Sequence, residues 1–268
     1  MSNTIVISIL SMAGLGFFFA SALAFVSRKL SVKEDPRIEN IMGALPGVNC
    51  GACGFTSCRL YAEAIVGEKA APDLCRVGGD TVAARLSEIL GIKLKKKAKQ
   101  LAILHCGADA SKRKKKAFYA GIKTCIAAHN TFGGEVLCEY GCLGYGDCAK
   151  ACPFAAITVV NGLPKIDRDK CTACGKCVSA CPRGLIVIEE ISAERFLYVA
   201  CNNPDKGAET RKTCAVGCIA CGICQKLTNG AFRVENNLAR VEGGRMKDIV
   251  NTDEVITKCP TKCIAKLD

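Results

Sequence analysis

Between Thr4 and Val26 the chain runs TIVISILSMAGLGFFFASALAFV without a single charge. At about 1.5 Å per residue a helix of that length reaches about 34 Å, enough to cross a bilayer core. The pattern predicts one transmembrane helix within an anchor over residues 1–30. Gly16, Ala20 and Ala24 recur every four positions, a small-residue stripe that lets another membrane helix approach closely. Ala22-Leu23-Ala24 resembles a signal-peptide cleavage site, but no Lys or Arg precedes the apolar run, whereas Arg28, Lys29 and Lys33 follow it. That asymmetry favours a retained helix with the bulk of the chain on the cytoplasmic side. The apolar period then changes. Asp35-Pro36 reads as an N-cap and first-turn proline ahead of RIENIMGAL, and RLYAEAIVGE and TVAARLSEILG carry apolar residues at helical spacing. Residues 92–100, IKLKKKAKQ, interrupt the pattern as a solvated basic linker. Beyond them AAITVVNGLPKID reads as strand, Asn-Gly turn and strand, and AFRVENNLARVE repeats that arrangement.

Composition changes the picture at one point: 21 of 268 residues are cysteine. They come in tight C-x2-C runs in a chain longer than disulfide-dense domains usually are, which points to metal rather than to a disulfide scaffold. With only His105 and His129 in the chain, Cys2His2 zinc is excluded and thiolate-only sites remain. Both histidines read as structural. The formal charge of +12 shrinks once metal is counted, because four four-iron clusters of about −2 each bring it to about +4. A nucleic-acid partner therefore has little electrostatic support.

Cys50, Cys53 and Cys58 stand at C-x2-C-x4-C with Cys75 further on, among Gly47, Gly51 and Gly54, which let the backbone turn its N–H groups toward a negative cluster. Cys171, Cys174, Cys177 and Cys181-Pro182 form the C-x2-C-x2-C-x3-C-P run of bacterial ferredoxins, in which the fourth cysteine crosses to the neighbouring cluster. Upstream, Cys142, Cys148 and Cys152-Pro153 form a partner run whose middle position is Tyr145, and Cys138 is the nearest replacement. Crossing the fourth ligands predicts one cluster on Cys138, Cys142, Cys148 and Cys181, and a second on Cys152, Cys171, Cys174 and Cys177. A shift of 76 lays the rest of the chain on this half: Cys138 falls on Cys214, Tyr145 on Cys221 and Cys152 on Thr228. The positions that should precede Cys259-Pro260 are Ile249, Thr252 and Val255, so with Thr228 the four ligands of one crossed cluster are missing together. The other set is intact as Cys218, Cys221, Cys224 and Cys259. Four 4Fe-4S clusters are thus expected. Cys106, Cys125, Cys201 and Cys214 form a fifth, pair with one another, or stay as buried thiols; the sequence leaves these open. Cys263 reads as structural.

The membrane helix followed by C-G-x-C-G-x-x-x-C-R-x-Y-A-E-A-I and a later cysteine resembles the B subunit of the Rnf electron transport complex, and the likeness continues to the C-terminus. The resemblance implies an α+β protein. Its parts are the transmembrane anchor, a small helical four-iron domain over 31–91, the linker, a ferredoxin-like half with two clusters over 101–192, and a degenerate ferredoxin-like half with one over 193–268. It also implies a cell-membrane translocase subunit that takes electrons from soluble ferredoxin and passes them to membrane and flavin-bearing subunits, coupled to sodium or proton transport and NAD reduction. No dinucleotide, phosphate-loop or Ser-His-Asp pattern is legible, so no catalytic residue beyond the electron relay is expected in this chain. Lys112-Arg113-Lys114-Lys115-Lys116 reads either as a solvated loop or as a docking patch for an acidic ferredoxin. A membrane-anchored polyferredoxin of a hydrogenase or quinone reductase would share every motif, and a zinc-bearing nucleic-acid-binding protein would differ in being colourless.

Overall fold

The computed structural model describes residues 2–29, 35–92, 98–191, 196–242, 245, 249 and 251–267. Residues 93–97 of the basic linker and the boundary expected at 192–193 lie outside the described residues. Helix α1, Ser2–Lys29, takes up the whole apolar stretch. An 18-residue window within its Ile5–Lys29 portion has a mean hydropathy of 2.1, and none of that window is buried by protein. Phe17, Phe18 and Leu23 all stand exposed. A helix apolar on every side and covered by no protein is suited to lipid, and among the described residues it alone is long and apolar enough to cross a membrane.

Three helices follow. Asp35 caps α2 (Pro36–Ala44) by accepting the Arg37 N–H at 2.9 Å. Ser57 caps α3 (Cys58–Val66) through the Leu60 N–H at 3.1 Å. Helix α4 (Gly79–Leu90) stops at Gly91, whose φ of 67° is left-handed. They close on a core of Ile41, Tyr61, Ala62, Ile65 and Leu86. Tyr61 is buried, yet its hydroxyl is satisfied: it donates to the Ala71 carbonyl at 2.8 Å and accepts the Leu74 N–H at 3.0 Å. One side chain thereby fills the core and fixes the loop that delivers Cys75.

The remaining strands form two-stranded antiparallel sheets in a pattern that occurs twice. First, β1 (Lys99–Leu104) pairs with β4 (Ile186–Ile191), enclosing the hairpin of β2 (Ile157–Val160) and β3 (Leu163–Ile166). Then β5 (Leu197–Val199) pairs with β8 (Ile264–Lys266), enclosing the hairpin of β6 (Phe232–Glu235) and β7 (Leu238–Val241). Both hairpins turn on two residues with positive φ, Asn161-Gly162 at 49° and 70° and Asn236-Asn237 at 49° and 58°. That is the turn whose twist matches the strands it joins. Short helices α5 (Cys125–Asn130), α6 (Asp147–Lys150), α7 (Lys176–Ser179), α8 (Gly207–Thr213), α9 (Ile223–Leu227) and α10 (Thr252–Lys258) fill the connections.

The two units meet at the ends of their first strands. The Gly107 N–H donates to the Ala200 carbonyl at 2.8 Å, and His105 Nδ1 lies 2.9 Å from the Val199 carbonyl. Ile103 of β1 packs into the core built by Phe196, Leu197, Phe232 and Val255, while Cys214 and Val216 pack against the core of Leu104, Leu185 and Ile186. Each unit therefore contributes apolar side chains to the other.

Candidate metal centres

Cys50, Cys53, Cys58 and Cys75 line one cavity walled by Leu45, Pro46, Phe55 and Tyr61. Asn49 accepts the Cys58 N–H at 2.8 Å, which starts α3 on a cysteine, and Gly51 and Gly54 turn the loop with φ of 76° and 90°. Burial raises the Cys75 thiol above its ordinary value, and the neighbouring Cys58, Cys53 and Cys50 add to the rise.

Two later loops have one design. Cys171-Thr-Ala-Cys-Gly-Lys-Cys177 and Cys218-Ile-Ala-Cys-Gly-Ile-Cys224 both hold their alanine in the left-handed region (Ala173 53°, Ala220 56°) and start a short helix from a left-handed glycine (Gly175 81°, Gly222 73°). The backbone folds back at each step, so three thiols face one point. Cys152 joins Cys171, Cys174 and Cys177 around the first cavity, against Ala102, Ile157 and Ile188. Its sulfur accepts the Ala156 N–H at 3.4 Å, as the Cys181 sulfur accepts the Leu185 N–H at 3.4 Å. Burial, with like charge on Cys171 and Cys174, pushes the Cys177 thiol up to about 12.

The second loop brings Cys218, Cys221 and Cys224 together with both Cys259 and Cys263. Cys259 follows the geometry of Cys152 and Cys181: a proline succeeds it, and the backbone of the residue four further on, Cys263, bonds to its sulfur. The Cys263 thiol lies 3.6 Å from the Cys259 sulfur. The contact lowers the Cys259 and Cys218 thiols below their ordinary value and drives Cys263 up. Cys221, on the loop's outer corner, is the exposed cysteine of this group.

The partner loop, Cys142-Leu-Gly-Tyr-Gly-Asp-Cys148, repeats the left-handed pair at Gly144 (84°) and Gly146 (81°), but Tyr145 stands where Cys174 and Cys221 stand in the others. Here the structure departs from the expected ligand set. Cys125, not Cys138, lines the cavity with Cys142, Cys148 and Cys181. The reason is local packing. Tyr145 packs against Tyr119 at a tilt of 51° with ring centroids 6.0 Å apart, and Lys123 Nζ sits 5.7 Å from the Tyr145 ring. The residue that stands in place of one thiol thus holds the segment that supplies another. Thr124 caps α5 and Asp147 Oδ2 accepts the Ile126 N–H at 3.1 Å, setting Cys125 beside Cys148. Burial pushes the Cys148 thiol up to about 11, with Cys125 and Cys181 as charged neighbours.

Cys138 faces a different cavity, with Cys106, Cys201 and Cys214. Burial raises it to about 11, and the like charges it meets are Cys214, Cys106 and Cys201. The expected grouping of Cys125 with Cys106, Cys201 and Cys214 is therefore not what the fold assembles; Cys125 and Cys138 have exchanged places.

Among the described residues no group of three or more His, Cys, Asp or Glu converges tightly enough to hold a single metal ion. Thiolates on one zinc lie about 3.8 Å apart, given Zn–S bonds of about 2.3 Å. A four-iron cube spreads four thiolates over four irons, and the quartets, with apolar walls and N–H groups on the sulfurs, suit that donor set. Of the basic run, Arg113 turns inward to the Cys142 and Gly162 carbonyls, each at 2.5 Å. Lys112 and Lys115 pair with Asp109 and Glu135 at 3.0 and 3.2 Å, yet Lys112, Lys114, Lys115 and Lys116 all stay exposed, so four of the five basic groups still face solvent.

Residues 45–77 match the family described as "Putative Fe-S cluster", and residues 163–186 match "4Fe-4S binding domain". Fold, thiol quartets and these matches define an iron–sulfur protein with a helix suited to a membrane. Over 267 residues the chain is 40% identical to the B subunit of the Na(+)-translocating ferredoxin:NAD(+) oxidoreductase complex of Acetobacterium woodii, covering 99% of this chain and 79% of that one. It is 39% identical to the proton-translocating counterpart of Clostridium ljungdahlii, over 98% of this chain and 92% of the other. It is 34% identical to the B subunit of the ion-translocating oxidoreductase complex of Methanosarcina acetivorans, over 98% and 99%. The chain belongs to this family, the B subunits of Rnf-type ion-translocating oxidoreductase complexes.

Proposed function

We propose that this chain relays electrons within an Rnf-type ferredoxin:NAD(+) oxidoreductase, receiving them from reduced soluble ferredoxin and passing them to membrane and flavin-bearing subunits. The observation that carries the reading is the convergence of cysteines far apart in sequence into separate quartets. Residues 31–91 act as a small cluster domain. Residues 101–192 and 193–268 act as two ferredoxin-like halves, a division supported by the repeated strand pair and hairpin. The ligand sets are Cys50, Cys53, Cys58 and Cys75; Cys125, Cys142, Cys148 and Cys181; Cys152, Cys171, Cys174 and Cys177; and Cys218, Cys221, Cys224 and Cys259. A bound 4Fe-4S cluster supplies a one-electron couple.

What the chain's own residues do is hold, bury and bias these centres. Leu45, Tyr61, Leu104 and Leu185 keep water from the sulfurs. The N–H groups of Ala156 and Leu185 favour the more negative reduced state. Helix α1 carries Arg28 and Lys29 in its last turn, which supports the cluster-bearing part lying on the cytoplasmic face of the cell membrane.

The test is to purify the full-length chain in detergent without oxygen, measure iron and acid-labile sulfide, and mix it with reduced ferredoxin. About sixteen or more irons per chain and rapid bleaching on mixing are expected. A colourless, zinc-bearing preparation that takes no electrons would overturn the reading.

A further inference from the structure

The cavity where the two halves meet is lined by Cys106, Cys138, Cys201 and Cys214, none of which belongs to the ligand sets above. The four are related in pairs. Cys106 follows the end of β1 and Cys201 that of β5; Cys138 and Cys214 each stand four residues before the first cysteine of a cluster loop, Cys142 or Cys218. The backbone frame repeats as well: the His105 N–H donates to the Leu185 carbonyl at 2.8 Å, and the Ala200 N–H donates to the Cys263 carbonyl at 2.7 Å. Each half contributes two thiols from equivalent places, and the Gly107 to Ala200 hydrogen bond stitches the halves together directly beside them.

The surroundings are those of a bound anionic centre. The Cys142 N–H donates to the Cys106 sulfur at 3.4 Å, the same length as the N–H contacts on Cys152 and Cys181. Asn203 is 1% exposed, and its Nδ2 lies 3.7 Å from the Cys138 sulfur. Two part-buried guanidiniums sit between this cavity and the Cys125 site. Arg113 reaches the Cys142 and Gly162 carbonyls, and Arg183 reaches the Cys138, Gly141 and Gly133 carbonyls. Among the described residues neither meets a carboxylate, and the buried Nε of each has no hydrogen-bond partner. Charge held in the interior without a counter-charge is strongly destabilising. Four protonated thiols supply no negative charge, whereas four thiolates on a four-iron core leave about −2.

We propose that Cys106, Cys138, Cys201 and Cys214 hold a fifth 4Fe-4S cluster at the seam, with two ligands from each half. It rests on the reading that the chain's thiol quartets carry iron–sulfur clusters. Its position makes it the one centre that both halves share, with Arg113 and Arg183 as the positive groups between it and the Cys125 site.

The experiment compares the anaerobically purified full-length chain with its Cys201→Ala and Cys214→Ala variants for iron, sulfide and zinc. The expected result is about twenty irons and twenty sulfides per chain, falling by about four of each in either variant. About sixteen irons that both variants retain would overturn the seam cluster while leaving the electron-relay reading intact, and loss of one zinc would overturn it equally. A parent chain without iron would remove the underlying reading itself. Should the cysteine variants fail to fold, Asn203→Leu decides, because it removes an N–H from the Cys138 sulfur and no ligand. In a redox titration followed by electron paramagnetic resonance, one component moving to lower potential at unchanged iron content supports the proposal. A titration identical to the parent overturns it.

Discussion

Tyr145 lies 6.0 Å from Tyr119, centroid to centroid, at the position where the sister loops carry Cys174 and Cys221. This pair links the loss of one ligand to the arrival of Cys125. Cys125→Ala should remove about four irons per chain relative to the parent. Restoring the C-x2-C-x2-C spacing in the double variant Cys125→Ala/Tyr145→Cys should recover the lost irons, because Gly144 and Gly146 already hold the loop in the conformation of its sisters. Iron analysis of the three proteins checks this, and a Cys125→Ala chain with full iron would refute the assignment.

At the C-terminal site Cys259 and Cys263 are only 3.6 Å apart, and they should behave differently. Cys259→Ala removes a ligand and about four irons. Cys263→Ala keeps the iron and deletes the thiol that contacts the Cys259 sulfur; a metal-bound Cys259 can only accept from it, so that centre's midpoint potential should fall. Equal iron loss in both variants would identify Cys263 as a ligand instead.

Much of this is legible in the sequence, and the reasons differ by feature. The apolar α1, the Asp35 cap and both hairpins follow from local chemistry, namely charge-free length, a capping carboxylate and Asn-rich turns. Three groupings follow from spacing: a C-x2-C-x2-C loop with a C-P residue from the partner run marks two, and C-x2-C-x4-C with one later cysteine marks the Cys50 group. Cys125 and Cys138 are not, because nearness in sequence is a poor stand-in for nearness in space. A signal for the right answer is present: Cys138 repeats as Cys214, and the second half's loop is complete without Cys214. The inward turn of Arg113 has no such signal, because a run of five basic residues looks alike whether or not one of them is drawn under a loop.

Gly144 has a φ of 84°, and a methyl group there would collide with the Gly162 carbonyl across the hairpin turn. Gly144→Ala should therefore cost roughly 1–3 kcal/mol, combining left-handed strain with backbone displacement. The measurement is the denaturant concentration at which iron is released. Gly43→Ala is the control: its added carbon meets nothing within 4 Å inside α2, so release should be unchanged or slightly later.

Tyr61→Phe keeps the ring in its core but leaves the Ala71 carbonyl and the Leu74 N–H without their partner. A loss of about 1–3 kcal/mol is expected, concentrated in the loop carrying Cys75. Iron bound by the Cys50 site should leave earlier in a chelator challenge, with the remaining centres unaffected. Uniform loss from every site would show that the hydroxyl serves the whole molecule rather than that loop.

The thiols at the seam set an order on biogenesis. Three quartets are complete once the ribosome has made Cys181, but Cys106 and Cys138 must then wait for Cys201 and Cys214 to emerge. During that interval Cys106 and Cys138 are without the two thiols that complete their set. A product that ended before Cys201 would keep the set half made.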